Sequence, residues 1–244
     1  MKFIGIIPAR YNSTRFPGKP MVMIDGKTMI QRVYEQASKS ALLSKVVIAT
    51  DDERIEQHIK SFNGNVVMTC NSHLSGTDRC FEAIEKIGKS NYEIVVNIQG
   101  YEPFIQPEQI DLLGACFHSS ATQIATLIKQ ITTTDELLNS NTPKVVFNNK
   151  KEALYFSRAA LPHYRDIPPQ LWLDKHSYFK HIGIYAYRIE VLESLVKLKP
   201  SALERAESLE QLRWIENGYT IQLASTTIES IAIDAPEDLL KLRF

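Results

Sequence analysis

The chain has 244 residues, 44% of them hydrophobic, enough to bury a full core as one domain with an appendage or as two domains. Lys plus Arg number 28 and Asp plus Glu number 28, so no global field would hold the protein on nucleic acid or on an anionic membrane. Cys70, Cys80 and Cys116 are an odd set without the paired short spacing of a zinc site, which fits structural, reduced thiols of a cytoplasmic protein.

Residues 3–8 read as a buried strand that breaks at Pro8 and Arg10, far short of a signal-peptide core or a membrane span, so a soluble intracellular chain is expected. The loop that follows crowds Arg10, Arg15 and Lys19 among small and turn-forming residues. Backbone N–H groups and cations there can converge on phosphate oxygens, with Gly18 allowing close approach. Three basic residues alone would be merely solvated; their position directly after a strand makes them a candidate triphosphate cradle. Gly5-Ile6-Ile7 lacks the glycines of a dinucleotide fingerprint, and Gly18-Lys19-Pro20 lacks the hydroxyl residue that ends a P-loop.

Residues 45–49, 65–68 and 94–97 are further β-rich segments, separated by helix-period stretches at 29–38, 55–61 and 80–87. This alternation predicts an α/β fold with a mostly parallel sheet and helices on both faces. Ligands of such sheets sit beyond the carboxyl ends of the strands, so the loops starting at Ala9, Thr50, Thr69 and Ile98 should share one rim. Thr50-Asp51-Asp52-Glu53 reads as a capping hydroxyl with acids in the first turn of the next helix, and Ser75 as an N-cap followed by Asp78.

After Thr122 the pattern loosens into strand-like runs at 123–129, 144–148 and 153–157, then a stretch with Pro162, Pro168 and Pro169. This predicts an inserted β-rich lobe. A strand at 179–187 follows, then a helix at 206–217 ended by Gly218. A strand at 231–234 and a helix at 236–242, with Pro236 in its first turn, return to the opening pattern. The expectation is a single domain: a core of about residues 1–121 and 188–244, with a lobe of about residues 122–187.

Eight strings occur in order: IIPARYNSTRFPGKP from Ile6, ATDDERI from Ala49, SGTDRC from Ser75, NIQGYEPFI from Asn97, ALYFSRA from Ala153, HIGIYAYR from His181, SLEQLRWIENGY from Ser208 and IDAPEDL from Ile233. Together they resemble the 3-deoxy-manno-octulosonate cytidylyltransferase family over nearly the whole chain. The resemblance implies a Rossmann-like nucleotidyltransferase core with a β-rich sugar-binding and dimerisation lobe. It implies magnesium-dependent transfer of CMP from CTP to the anomeric hydroxyl of 3-deoxy-D-manno-octulosonate (Kdo), with release of pyrophosphate, by a cytoplasmic homodimer serving lipopolysaccharide biosynthesis. By the same likeness Arg10, Arg15 and Lys19 hold the phosphates, with Arg10, Lys19 and Asp234 the catalytic set. Ser75, Gly76, Arg79, Gln99 and Gly100 join the nucleotide site. Arg158, His181, Tyr185, Glu210 and Gln211 are assigned to the sugar acid, an anionic polyol that needs a cation, Arg158, and several hydrogen-bonding groups. Without the likeness, Glu210 and Gln211 read as an exposed helix face, His181 as a satisfied strand histidine and Gln99 as a solvated loop residue. His176 and His181 have no third ligand in sequence, which argues against a zinc site.

One position departs from the family pattern. Where that pattern is Asn-Ile-Gln-Gly-Asp-Glu-Pro, this chain has Tyr101 between Gly100 and Glu102. The resemblance gives the aspartate there and the one matching Asp234 to magnesium, so Asp234 is left alone. A phenol with a pKa of about 10 is neutral near pH 7, and weakened metal binding is expected. Three explanations stand open: an engineered or accidental substitution, a natural variant that recruits another ligand such as Glu102, and a protein that has lost catalysis. Competing functions are a cytidylyltransferase for another acidic sugar, such as sialic acid, and a noncatalytic nucleotide-binding homologue. The zero formal charge gives a nucleic-acid binder little support.

Overall fold

Short β-branched runs and amphipathic stretches alternate through the first half of the computed structural model, which describes residues 1–12, 16–229, 232, 233 and 235–241. In chain order the first elements are β1 (Phe3–Ala9), the hairpin strands β2 (Met23–Ile24) and β3 (Lys27–Thr28), α1 (Met29–Ala37), β4 (Leu43–Thr50), α2 (Glu53–Ser61), β5 (Val66–Met68), α3 (Gly76–Ile87), β6 (Ile94–Asn97) and α4 (Pro107–Cys116). They are followed by β7 (Ile124–Gln130), α5 (Thr134–Leu138), β8 (Lys144–Phe147), β9 (Ala153–Ser157), α6 (Trp172–Lys175), β10 (Phe179–Arg188), α7 (Ile189–Leu195), α8 (Ala202–Glu207), α9 (Gln211–Glu216) and β11 (Ile221–Ser225). No described helix is long and apolar enough to cross a membrane.

The chain divides into two compact units. The first comprises Met1–Asp111, Ile184–Val196 and Ser230–Phe244. Its strands lie in the order β5-β4-β1-β6, all parallel, with the last residues of β10 antiparallel beside β6. Register matters here: Ala9 pairs with Thr50, and Thr50 with Met68, so three strands end level on one rim. β1 is buried along almost its whole length, as expected of a central parallel strand. α2 is capped by Asp52, whose carboxylate accepts from the Arg54 N–H at 3.0 Å, and Glu53 and Glu56 oppose the helix dipole. α3 opens on a capping box in which Ser75 and Asp78 bond each other's backbone N–H, and Gly88 ends it at φ 105°.

The second unit comprises Leu112–Gly183 and Lys197–Glu229. β7 and β11 pair in parallel, β8 and β9 form an antiparallel pair, and β8 also meets the start of β10 at Lys144 and Lys180. Ile131, Leu137, Trp172 and Tyr178 form a buried cluster. The pairing of β11 with β7 draws residues 197–229 into this unit, whereas sequence pattern assigns them to the core.

Three expectations need correction. The single helix at 206–217 is instead α8 and α9, because Ser208 takes the left-handed conformation at φ 51° and stops α8. The break is fastened from outside the helix: the Arg158 guanidinium donates to the carbonyls of Glu207 at 2.6 Å and Ser208 at 3.3 Å. The helix expected at 236–242 is a 3-10 turn over Pro236–Lys241, and Leu242 lies outside the described residues. Of the strand expected at 231–234, Ile231 and Asp234 lie outside the described residues, and Ala232 and Ile233 are not in a strand.

Gly100 sits where β6 hands over to the rim. A Cβ there would fall 2.9 Å from the Pro8 carbonyl oxygen, an atom of the β1 backbone that cannot swing aside. Replacing Gly100 with Ala should therefore destabilise the fold by about 1–3 kcal/mol, measured by denaturant unfolding; unchanged stability would show that β1 yields easily.

Candidate nucleotide site

A cavity of about 200 Å³ opens at the rim of the first unit, lined by residues from four loops. Pro8, Ala9 and Arg10 come from the end of β1, Lys19 and Pro20 from the loop after it, His73 to Gly76 and Arg79 from the start of α3, and Gln99 to Tyr101 from the turn after β6. Of the residues assigned to the nucleotide by sequence, Arg10, Lys19, Ser75, Gly76, Arg79, Gln99 and Gly100 all meet here. Arg15 and Asp234 lie outside the described residues.

Local chemistry explains each position. Gly18 adopts φ 70°, which lets its N–H reach the Tyr11 carbonyl at 2.9 Å and turns the chain into a 3-10 turn at Lys19–Met21. Pro20 fits that turn because it needs no N–H there. Arg10 is exposed, and Lys19 is half-buried with its Nζ 4.3 Å from the centroid of the Tyr101 ring. α3, three turns long, points its positive end at the cavity, which favours an anion. Arg79 is buried, donating to Thr69 Oγ1 at 2.6 Å and to Asp51 Oδ2 at 3.0 Å. It forms a cationic wall braced by the ends of β4 and β5. Gln99 Nε2 reaches Asn97 Oδ1 only at 3.5 Å, a bond at the limit of significance.

Sequence reasoning missed His73. Its Nε2 is hydrogen-bonded to Glu82 Oε2, an oxygen that also accepts from the Cys70 N–H at 2.8 Å, while Glu82 Oε1 pairs with Lys86 at 2.7 Å. Burial raises the Glu82 carboxyl, but hydrogen bonds from Lys86, His73 and the Cys70 N–H outweigh it and hold its pKa at about 2. Glu82 is thus an anion that pins the 70–75 loop to α3. The only signal for His73 in the sequence is its place two residues before the Ser75 cap.

The described lining contains no carboxylate, and among the described residues no group of three or more His, Cys, Asp or Glu is placed to hold a metal ion. Magnesium takes hard oxygen ligands, usually one or two carboxylates with water and phosphate, and none of the described lining residues offers a carboxylate. Glu102 is buried in the turn after β6, its N–H bonded to the Gln99 carbonyl at 3.2 Å, and it is not part of the cavity wall.

The residues assigned to the sugar acid divide between the units. Tyr185 belongs to the first, buried and stacked on Tyr187 with ring centroids 5.9 Å apart. Arg158, His181, Glu210 and Gln211 belong to the second. Arg158 is heavily braced: its guanidinium also donates to the Ser140 carbonyl at 3.1 Å, and its N–H donates to Glu207 Oε2 at 2.9 Å. Beneath it Lys144, fully buried, donates to the carbonyls of Arg158 at 2.6 Å and Asn139 at 2.8 Å. Burial, with the Arg158 charge, lowers the Lys144 pKa. Gln211 is buried, against the exposed face read from sequence, and its Nε2 has no hydrogen-bond partner among the described residues. An orphaned buried donor of that kind calls for a ligand or water oxygen. His181 Nε2 lies 3.0 Å from Thr126 Oγ1, with the Phe156 ring edge-on at 5.2 Å, and burial pushes its pKa down to about 3.

That depression sets a pH dependence. The unfolded chain takes up a proton at His181 below its ordinary 6.5, and the folded chain refuses it until about 3, so stability falls as pH drops through that window. Across it His181 should contribute a slope of up to about 1.4 kcal/mol per pH unit. Denaturant unfolding from pH 7 to 4 should show that contribution lost in His181→Gln; identical slopes would mean that His181 is solvated in the folded protein.

The sequence profile of the cytidylyltransferase family matches residues 4–228. A 3-deoxy-manno-octulosonate cytidylyltransferase of Parabacteroides distasonis is 56% identical over 245 aligned residues, covering 99% of this chain and 96% of that protein. One of Bacteroides thetaiotaomicron is likewise 56% identical, over 98% of this chain and 96% of that protein. Among solved structures, CMP:2-keto-3-deoxy-manno-octonic acid synthetase complexed with CTP is 42% identical and superposes with a TM-score of 0.90, covering 99% of this chain and 96% of that one.

Proposed function

We infer that this chain, which belongs to the 3-deoxy-manno-octulosonate cytidylyltransferase family, transfers CMP from CTP to the anomeric hydroxyl of Kdo and releases pyrophosphate. The observation that carries the reading is the agreement of 56% identity over 99% of the chain with a cavity walled by Arg10, Lys19 and Arg79. The product is an activated sugar acid for lipopolysaccharide biosynthesis.

The reaction needs alignment and charge stabilisation rather than a covalent enzyme intermediate. The anomeric hydroxyl oxygen attacks the α-phosphorus, its proton passing to solvent, and the bond from that phosphorus to the bridging oxygen of pyrophosphate breaks in line. Negative charge grows on the bridging oxygen as it leaves. Arg10 and Lys19 are proposed to receive that charge, and the N-terminus of α3 at Ser75 and Gly76 adds backbone dipoles. A guanidinium offers two parallel donors to a phosphate, so lysine would be a poor substitute for Arg10. Gln99 and Gly100 are proposed to fix and admit the nucleotide. Arg158, His181, Tyr185, Glu210 and Gln211 are proposed to bind the sugar acid. The unpartnered Gln211 Nε2 suits an acceptor oxygen of a polyol, and the neutral His181 suits a hydroxyl.

Magnesium is proposed as the cofactor from family membership, and Asp234 as its protein ligand. In the described cavity Tyr101 offers it no anionic oxygen, and the steps above use only the chain's own cations. A cytoplasmic homodimer, associating through the lobe of about residues 122–187, completes the proposal; Leu154 on β9, within that lobe, is exposed.

Pyrophosphate release from CTP and Kdo in magnesium tests the reading. Lys19→Met should lower kcat/KM by about 100-fold or more. Tyr101→Asp should raise the magnesium-supported rate at least about tenfold, since a Lewis-acid metal is worth several kcal/mol in the transition state. Equal high rates for the unaltered chain and Tyr101→Asp would show the tyrosine to be harmless. Turnover with a different sugar acid alone would overturn the Kdo assignment.

A further inference from the structure

The ring of Tyr101 is held from behind. It packs against a cluster of buried Ile24, Met29 and Ile233, flanked by Phe16, Val22 and Phe104, and its carbonyl accepts from the Ile233 N–H at 2.9 Å. Its face carries the Lys19 ammonium, with Nζ 4.3 Å from the ring centroid, inside the reach of a cation–π contact. Both residues line the nucleotide cavity.

The lysine backbone is fixed as firmly as the ring. Gly18 lies against Tyr11, whose carbonyl takes its N–H and whose hydroxyl would stand 3.1 Å from a Cβ at that position. The Arg54 guanidinium covers the Tyr11 ring with its central carbon 3.4 Å from the centroid, tying the loop to the start of α2. The long stem of Lys19 is rotamer-rich, and a contact that orders it before binding lessens the entropy a ligand has to remove. An aromatic face removes it differently from a carboxylate. A carboxylate would hold the ammonium as an ion pair and compete with phosphate for it. A neutral ring orients the ammonium without setting a negative charge of its own against the incoming anion.

We propose that Tyr101 is a positioning residue that seats the Lys19 ammonium on its ring face and so presets it for the phosphates of the nucleotide. The proposal rests on the nucleotide reading of this cavity and adds a role for the ring itself. Its signature is an affinity for free CTP that depends on the aromatic face, acts only through Lys19 and needs no metal.

The experiment is isothermal titration of the full chain with CTP in EDTA, as a double-mutant cycle. Tyr101→Phe keeps the face and should bind within about twofold of the unaltered chain. Tyr101→Leu keeps the packing but loses the face, and should weaken binding by about 2- to 5-fold. On a Lys19→Met background the same Tyr101→Leu change should have no further effect. Equal affinity of Tyr101→Leu and the unaltered chain would overturn the proposal, as would a loss that persists without Lys19. An unaltered chain that binds no CTP would overturn the nucleotide reading of the cavity, and the proposal with it.

Discussion

Parallel pairing of β1 with its two neighbours is the constraint from which the site follows. Once Ile4 to Ala9 are zipped to Lys45 to Thr50, and Phe3 to Ile6 to Ile94 to Asn97, the chain has to leave all three strands in the same direction. The loop with Arg10 and Lys19 and the turn at Gln99 to Tyr101 are thereby delivered to one rim, and β5, parallel to β4, adds the loop before α3. Close approach at that rim needs missing side chains: Gly76 would bring a Cβ to 3.2 Å from the Pro8 ring, and Gly100 would meet the Pro8 carbonyl. The cavity is therefore a consequence of register and of two glycines, and side-chain chemistry is added to a shape already set.

Charge is distributed unevenly between scaffold and cavity. Over the whole chain the formal charges cancel, and many buried or half-buried cations have carboxylate partners. Arg79 pairs with Asp51 at 3.0 Å, Arg213 with Glu204 at 2.5 Å and Lys180 with Glu136 at 2.5 Å. These pairs place charge without creating a field at a distance. The described lining of the cavity gathers Arg10, Lys19 and Arg79, the last paired with Asp51 from behind, and no carboxylate is among the described lining residues. Such a lining suits an anionic ligand.

The first half of the chain was legible because its strands are short, apolar and separated by well-formed caps. β6 falls at 94–97 as its β-branched run indicates, and the Ser75 cap is visible as a hydroxyl three residues before an acid. The second half was harder for physical reasons. α8 and α9 look continuous in sequence because the break at Ser208 depends on Arg158, fifty residues earlier in the chain. α7, seven residues long, is too short for a periodic signal, and the pairing of β11 with β7 is what places residues 197–229 in the second unit. In the site, the basic residues and glycines could be read from their place after β1 and β6. The role of Tyr101 as a neighbour of Lys19, and of Glu82 as the anchor of His73, could not, since each joins segments that are distant or differently patterned in sequence.

The central claim is that cations delivered by the first turn after β1 grip the phosphates of a cytidine nucleotide. A crystal structure of this chain with CTP tests it most directly. The account predicts β- and γ-phosphate oxygens within about 3 Å of the Arg10 guanidinium and the Lys19 ammonium, with the nucleotide filling the cavity between Pro8, Ser75 and Gln99. A bound CTP with both cations turned away, or one seated elsewhere on the chain, would contradict it.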